Sequence, residues 1–191
     1  MNKYDYGVAS CDMNDYVDGL SELIDDHIDR GFKAYIMTFL FRNLPSSEAT
    51  SKEVMTSEVR RVFGRFITEV VRNPWSKGSV DRRPVLIGCP DWPVPKSGVG
   101  SKHRVNGSGI HFAGILLVPR VGRLKTSAKR HFHDDRRSYV SPGQSLERIH
   151  LERIKKGTSR TVCYNFKSLL RRRCDSDDLL VLPDSLSERP S

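Results

Sequence analysis

The alternation of apolar and polar positions first marks a buried strand in the middle of the chain. Residues 109–118 form its most apolar run and contain a single histidine, His111. The run is too short to span a membrane, and its composition favours a strand over a helix. Because side chains alternate along a strand, His111 shares one face with Ala113, Ile115 and Leu117. It is therefore a candidate ligand or catalytic group, with a hydrogen-bonded core histidine as the alternative.

Two other apolar runs have the pattern of strands in the same sheet. Residues 33–42 are apolar on both faces, which suits a central position. Residues 84–89 form a shorter apolar run of the same kind. Residues 149–154 fit a strand, although a helix beginning at Ser145 fits this stretch as well. We expect 33–42, 84–89 and 109–118 to lie in one antiparallel sheet.

Apolar residues at three- and four-residue steps predict three helices. The longest covers residues 50–72; Thr50 and Glu53 form a capping-box pattern at its start. An acidic helix precedes the first strand at residues 12–30, and a short helix begins at Ser159 or Thr161 and ends at the arginines of 171–173. Residues 120–145 are basic, poor in large aliphatic side chains, and predicted to be irregular.

These elements predict an α+β fold, a single domain whose central antiparallel sheet is packed by the long helix. We expect residues 1–30 to form an acidic N-terminal helix outside the main domain. Residues 31–173 then form the domain itself. Residues 174–191 form an acidic tail, expected to be disordered.

Charge is unevenly distributed along the chain, whose formal net charge is +9. Residues 1–30 carry eight acidic and two basic side chains, and residues 174–191 carry five and one. In contrast, residues 119–173 carry sixteen basic and four acidic side chains. A basic middle between acidic ends favours a polyanionic partner, most simply nucleic acid. The alternative is a solvated basic face that keeps the protein soluble.

Several side chains are candidates for contact with such a polyanion. Phe112, Trp92 and Tyr139 are candidates for stacking on bases, and packing explains each of them equally well. The basic candidates for phosphate contact come from the basic segment and the end of the last helix: Arg120, Arg123, Lys125, Lys129, Arg130, Arg136, Arg137 and Arg171.

Cysteine usage and the absence of targeting signals predict a cytoplasmic location. The four cysteines lack the CxxC spacing of zinc knuckles and redox motifs. No signal peptide opens the sequence, and no apolar run is long enough for a transmembrane helix, so we expect no membrane partner. Reduced thiols are the default for such a chain.

A tyrosine and two cations follow one another on the last predicted helix. Tyr164, Lys167 and Arg171 are three and four residues apart, which places them along one helix face. A nearby ammonium favours the phenolate form of a tyrosine, and the two cations suit a phosphodiester. Tyr164 is therefore a candidate nucleophile with Lys167 as its partner, although this spacing is common in helices.

The order of these motifs resembles that of the HUH endonucleases, the rolling-circle replication initiators of plasmids and phages and the related single-strand transposases. Met-Thr-Phe-Leu-Phe at residues 37–41 is similar to their first strand. Gly-Ile-His-Phe-Ala-Gly-Ile-Leu-Leu-Val-Pro at 109–119 is similar to their central His-hydrophobic-His strand. The stretch 149–156 followed by Tyr-Asn-Phe-Lys at 164–167 is similar to the segment that enters their tyrosine helix. The resemblance covers residues 33–173 and implies a ferredoxin-like, HUH-like sheet.

The chain departs from this family at the second histidine of the motif, where it has Ala113. One imidazole alone does not hold a divalent ion. Asp91, at the end of the preceding strand, is expected to lie beside His111 and supply an oxygen, with His103 as a weaker option. A literal His-Phe-His occurs at residues 131–133, but within the irregular basic stretch.

The resemblance implies a single-stranded DNA nicking and joining activity, as in replication initiation or in transposition of a mobile genetic element. Its implied site uses Mg²⁺ or Mn²⁺ held by His111 and Asp91, with Tyr164 and Lys167 as catalytic residues. Tyr164 would become joined to a 5′ phosphate and leave a 3′ hydroxyl for a host polymerase. No helicase motif is present, so unwinding would come from a host helicase.

Two other functions remain open from the sequence. One is a nucleic-acid-binding protein with a degenerate, non-catalytic domain of this kind. The other is a basic protein that binds an acidic protein or its own acidic ends. We also expect the acidic helix at residues 12–30 to stay outside the DNA surface and to cover the basic region when DNA is absent, because it would repel phosphate.

Overall fold

The structure, a computed structural model, describes residues 13–92, 110–155 and 158–184. Its strands form one five-stranded sheet in the order β4-β1-β3-β2-β5, and every neighbouring pair is antiparallel. The strands are β1 (Lys33–Phe41), β2 (Val85–Asp91), β3 (His111–Val118), β4 (Leu146–Arg153) and β5 (Leu180–Leu182). The predicted α+β domain with a central antiparallel sheet is confirmed.

Six α-helices connect and flank these strands in the described ranges. They are α1 (Met13–Asp29), α2 (Glu48–Val70), α3 (Ala128–Asp134), α4 (Arg136–Tyr139), α5 (Thr158–Asn165) and α6 (Lys167–Leu170). From β1 to β4 the chain runs strand, helix, strand, strand, helix pair, strand, which is the ferredoxin-like order. Within the described ranges no helix is long and apolar enough to cross a membrane.

The predicted apolar strands lie at the centre of the sheet. β3 pairs with β1 on one side and with β2 on the other, which explains why both of its faces are apolar. In this register His111, the first residue of β3, lies opposite Leu40 of β1 and Asp91 of β2. The ambiguous stretch at 149–154 belongs mainly to strand β4.

Helices cover both faces of the sheet. The long helix α2 buries Phe63 and Phe66 on the face that carries Phe39 and Phe112. The opposite face carries the side chains of Ile87, Ile115 and Leu117 and is covered by α1, α5 and α6. The sequence prediction placed only the long helix against the sheet, whereas central strands that are apolar on both faces need cover on both.

The acidic helix α1 is part of the domain and not an appendage. Its side chains Val17, Leu20 and Ile24 are buried in the core beneath α5 and α6. The apolar stripe of α1 is buried there because an amphipathic helix is stabilised mainly by packing its apolar face. The expectation that the acidic face of α1 covers the basic region when DNA is absent stays a prediction.

The acidic tail is ordered at its start. Cys174 is buried, and residues 180–182 form β5, which pairs with the edge of β2. The predicted disorder from residue 174 is wrong for this part, because the apolar Leu-Val-Leu segment supplies backbone partners to an otherwise open sheet edge. Residues 185–191 lie outside the described residues.

Three local predictions also need correction. The basic stretch 120–145 contains α3 and α4, which pack Phe132 against Phe66 of α2 and Tyr139 against Phe132. Helix α2 begins two residues before Thr50, with Ser47 as its N-cap. The last helix is broken at Phe166, which separates α5 from α6.

Candidate functional site

A buried carboxylate lies where β2 ends beside the start of β3. Asp91 and His111 are cross-strand partners, and their side chains meet with His111 Nε2 3.1 Å from Asp91 Oδ2. The Asp91 side chain is only 1% exposed. A buried ionised carboxylate requires hydrogen-bonding partners, so the groups around it are constrained by its charge. The sequence prediction that Asp91 lies beside His111 agrees with this geometry.

Helix α6 supplies two further partners to the same carboxylate. The Lys167 ammonium donates to Oδ2, and the buried Ser168 hydroxyl donates to Oδ1. Both oxygens of Asp91 therefore accept hydrogen bonds from residues more than seventy positions along the chain. Asp91 fixes the position of α6 relative to the sheet.

The surroundings of Asp91 favour its ionised form. Burial alone would raise the pKa of this carboxyl group. The hydrogen bonds from His111, Lys167 and Ser168 outweigh burial and hold the pKa well below its usual range. The group is therefore a fixed negative charge at neutral pH, around which cationic side chains are positioned.

Tyr164 lies on α5 next to this cluster. Its side chain is a large aromatic group in an unusually open position, since the residue is 71% exposed. The Lys167 ammonium lies 5.1 Å from the centre of the Tyr164 ring, within the range of a cation–π contact. Lys167 therefore contacts both the exposed Tyr164 ring and the buried Asp91 carboxylate, which also faces His111.

The helix break at Phe166 positions these side chains. Phe166 is fully buried in the core beneath α5 and α6, as are Val162 and Leu169. Burial of these residues leaves Tyr164 on the outer side of α5 while Lys167, the first residue of α6, reaches inward to Asp91. The predicted single helix face for Tyr164, Lys167 and Arg171 is thus interrupted, but Tyr164 and Lys167 remain in contact.

The described residues do not fit the predicted divalent-metal site. His111 and Asp91 supply two donors, and Asp91 is already bonded to a lysine ammonium. Mg²⁺ and Mn²⁺ need more oxygen or nitrogen ligands than this pair provides. Within the described part of the chain, no group of three or more His, Cys, Asp or Glu side chains is arranged to hold a metal ion. His103 lies outside that part.

The predicted nucleic-acid contacts do not form one surface with this cluster. Arg171, the C-cap of α6, is the only one of the eight at the helix that begins with Lys167. Arg120, Arg123 and Lys125 follow the far end of β3, whose eight residues extend about 26 Å from His111. The other four, Lys129, Arg130, Arg136 and Arg137, lie on α3 and α4, which pack on the opposite face of the sheet.

Several of these cations already have protein partners. Lys129 pairs with Glu152 at 2.6 Å, and Arg130 pairs with Asp134 at 3.1 Å. Arg123 donates to the Thr68 carbonyl oxygen. Exposed pairs of this kind are weak and remain accessible to solvent, so they reduce the charge offered to a phosphate without blocking it.

Two of the three candidate stacking residues are unavailable for bases. Phe112 and Tyr139 are fully buried in the core beneath α2. Trp92 is half-buried and packs against both cores at the end of β2. The more exposed aromatic group at this end of the sheet is the ring of Tyr164 itself.

The literal His-Phe-His sequence has a structural role in α3. His131 Nε2 lies 2.7 Å from the Tyr139 hydroxyl, and Phe132 stacks on Phe66. His133 is exposed and lies 3.1 Å from Asp134. The two histidines follow one another at a two-residue spacing, which points them in different directions on a helix.

Sequence analysis missed Ser168. It follows the candidate Lys167 directly and was assigned no role, since its partner Asp91 is 77 residues away in the chain. A weak signal was present, because Ser168 is one turn after Tyr164 and thus on the same side of the predicted helix.

The site was also compared with what is known of other proteins. The comparisons covered protein-family models, curated proteins and solved structures, and none of the three finds a match to this chain.

Proposed function

We propose that this chain cleaves and rejoins single-stranded DNA through a covalent bond between Tyr164 and a 5′ phosphate. The observation that carries the proposal is the position of Lys167, which contacts the exposed Tyr164 ring and also Asp91, the partner of His111. Three side chains that the sequence separates by up to 73 positions thus meet around one cation. A tyrosine hydroxyl with a cation beside it is a combination that transfer of a phosphodiester to tyrosine can use, which supports the proposal.

The proposed step exchanges one phosphodiester for another. The Tyr164 oxygen attacks phosphorus, the bond from phosphorus to the 3′ oxygen breaks, and the phenolic proton ends on that oxygen. The products are a tyrosine-linked 5′ end and a free 3′ hydroxyl. Because the new bond is also a phosphodiester, the 3′ hydroxyl of the same or another strand can reverse the step and join the ends.

The surroundings of Tyr164 suit a nucleic-acid substrate. The phenol is open to solvent, so a strand can approach without movement of the core. Lys167 is positioned to offset the negative charge that builds up on the phosphate during attack. Arg171 adds a second cation at the end of α6.

Such an activity would serve replication initiation of a plasmid or phage, or transposition of a mobile element. The free 3′ hydroxyl is a primer for a host polymerase. A host helicase would supply the unwound strand. In this function the protein works in the cytoplasm.

A second candidate is a binding protein that no longer cleaves DNA. It is favoured by Ala113, which replaces the second histidine of the related motif, and by the poor fit of the described residues to a metal ion. It would retain the basic charge and lose turnover. Covalent product formation separates the two functions.

Tyr164→Phe is the direct test. We expect wild type incubated with 3′-labelled single-stranded hairpins to give a labelled adduct that survives denaturation. Tyr164→Phe should give none while binding the same hairpins within about twofold, because only the attacking oxygen is lost. Tyr16→Phe, on the neighbouring helix α1, is the matched control and should behave as wild type. Equal products from wild type and Tyr164→Phe would contradict the enzyme and favour the binding protein.

A further inference from the structure

The Lys167 ammonium is bonded to the Asp91 oxygen that the sequence prediction assigned to a metal ion. Lys167 Nζ donates to Asp91 Oδ2, the same oxygen that faces His111 Nε2. A divalent ion at this oxygen would stand beside an ammonium of the same sign. Lys167 would have to leave, and Asp91 would lose the cation that compensates its burial.

Lys167 has the reach and the bonding capacity to act on a phosphate without leaving Asp91. An ammonium has three N–H donors, and the contact with Asp91 uses one direction. The Lys167 side chain is 25% exposed, so it is accessible to solvent, and its ammonium lies 5.1 Å from the centre of the Tyr164 ring. The remaining donors can therefore meet the non-bridging oxygens of a phosphodiester attacked by Tyr164.

Asp91 itself is placed as a positioning residue. It is buried, so it does not meet the strand, and its two oxygens hold Lys167, Ser168 and His111. The cluster places the Lys167 ammonium, held by one buried carboxylate, at the position where a metal would otherwise supply positive charge to a phosphate.

We propose that the tyrosine transfer reaction of this protein needs no divalent metal ion, because Lys167, held by Asp91, supplies the positive charge at the attacked phosphate. This inference rests on the proposed function. The step is balanced without a cofactor: the bond from Tyr164 to phosphorus forms, the bond to the 3′ oxygen breaks, and one proton passes between the two oxygens.

The first experiment compares adduct formation with and without divalent ions. Full-length protein is freed of metal by chelation and incubated with 3′-labelled hairpins in EDTA, Mg²⁺ or Mn²⁺. We expect equal rates within about threefold in all three, since the charge at the phosphate is part of the chain. Adduct that forms only with a metal ion overturns this inference and leaves Tyr164 as the nucleophile. Absence of adduct in every condition overturns the proposed function as well.

Variants of Lys167 test its role directly. Lys167→Met keeps the length of the side chain and removes its charge, so the metal-free rate should fall about a hundredfold. Lys167→Arg keeps a cation and should recover part of that loss. Lys77→Met is the matched control. Lys77 is exposed and precedes β2 in the chain, so this variant should keep the wild-type rate. A wild-type rate for Lys167→Met in EDTA would overturn the proposal.

Direct binding of Mn²⁺ gives a readout that does not depend on activity. We expect wild type to leave the paramagnetic resonance signal of free Mn²⁺ unchanged at ion concentrations equal to the protein. Lys167→Met should also leave the signal unchanged, since Asp91 and His111 alone supply too few ligands to hold the ion. One tightly bound ion in wild type that His111→Ala removes would overturn the proposal.

Discussion

Asp91 is the residue on which the geometry of the site depends. It joins the end of β2 to His111 on β3 and to Lys167 and Ser168 on α6. Its carboxylate is buried, and loss of one partner of a buried charge costs far more than loss of an exposed pair. The same side chain that fixes the proposed catalytic groups therefore also stabilises the fold.

Asp91→Asn should lower the free energy of unfolding by about 3 kcal/mol, because Lys167 loses its partner and one hydrogen bond reverses polarity. Urea denaturation at neutral pH measures the change. Asp81→Asn is the control, since Asp81 is exposed and pairs with the exposed Arg30; its effect should stay within about 0.5 kcal/mol. Equal effects of the two variants would contradict the structural role of Asp91.

The contribution of Asp91 to the free energy of unfolding should decrease as the pH falls. The pKa of Asp91 is lower in the folded protein than the value of about 3.9 in an unfolded chain. The stabilisation is therefore complete above about pH 5 and falls as the pH drops through the folded-state pKa. The difference in unfolding free energy between wild type and Asp91→Asn should shrink below about pH 4. A difference that disappears near pH 6 would contradict this assignment.

At the scale of elements, sequence periodicity predicted those parts that bury a regular apolar pattern. β1 and β3 follow from continuous apolar runs, and α2 follows from apolar residues at three- and four-residue steps. The chain between β3 and β4 was harder, because α3 and α4 are short and bury only a few aromatic side chains. β5 was missed because three residues at a sheet edge carry no recognisable period.

The sequence predicted the part of the site that lies on neighbouring strands. It did not predict the part that depends on packing between distant segments. Asp91 and His111 end and begin consecutive strands, so their proximity follows from the hairpin arrangement. The attachment of Lys167 and Ser168 to Asp91 depends on how α6 docks on the sheet. No local spacing encodes that docking, so the prediction assigned Asp91 to a metal.

The burial of α1 leads to a prediction at the level of this element. Ile24→Ala should lower the free energy of unfolding by about 3 kcal/mol, because it leaves a cavity in the core beneath α5 and α6. Glu22→Ala, an exposed position on the same helix, should change it by less than about 0.5 kcal/mol. Chemical denaturation measures both. A neutral Ile24→Ala would show that α1 is dispensable for the fold.

At the scale of the whole molecule, positive charge lies on both sides of the sheet, whereas the site lies on one side. Arg171 is on the side of Tyr164, and Arg130 is on α3 across the sheet. The phosphate charges of a DNA strand bound at Tyr164 should be neutralised mainly by cations on the same side of the sheet. Exposed charges further away are screened beyond about 10 Å at 0.1 M salt. The two arginines therefore make a matched pair.

Arg171→Glu should weaken binding of single-stranded DNA about tenfold at low salt and reduce the dependence of affinity on salt concentration. Arg130→Glu changes the net charge equally and should weaken binding by less than about threefold. Fluorescence anisotropy over a salt series measures both. A larger effect of Arg130→Glu would place the strand on the α3 side and contradict a site at Tyr164.

The most direct measurement of the central claim is the mass of the peptide that carries Tyr164. Wild type is incubated with a short single-stranded hairpin, digested with nuclease and protease, and analysed by mass spectrometry. We expect Tyr164 to carry the mass of a 5′-phosphorylated nucleotide and all other tyrosines to be unmodified. An unmodified Tyr164 across hairpins that the protein binds, or a modification on another residue, would contradict the account.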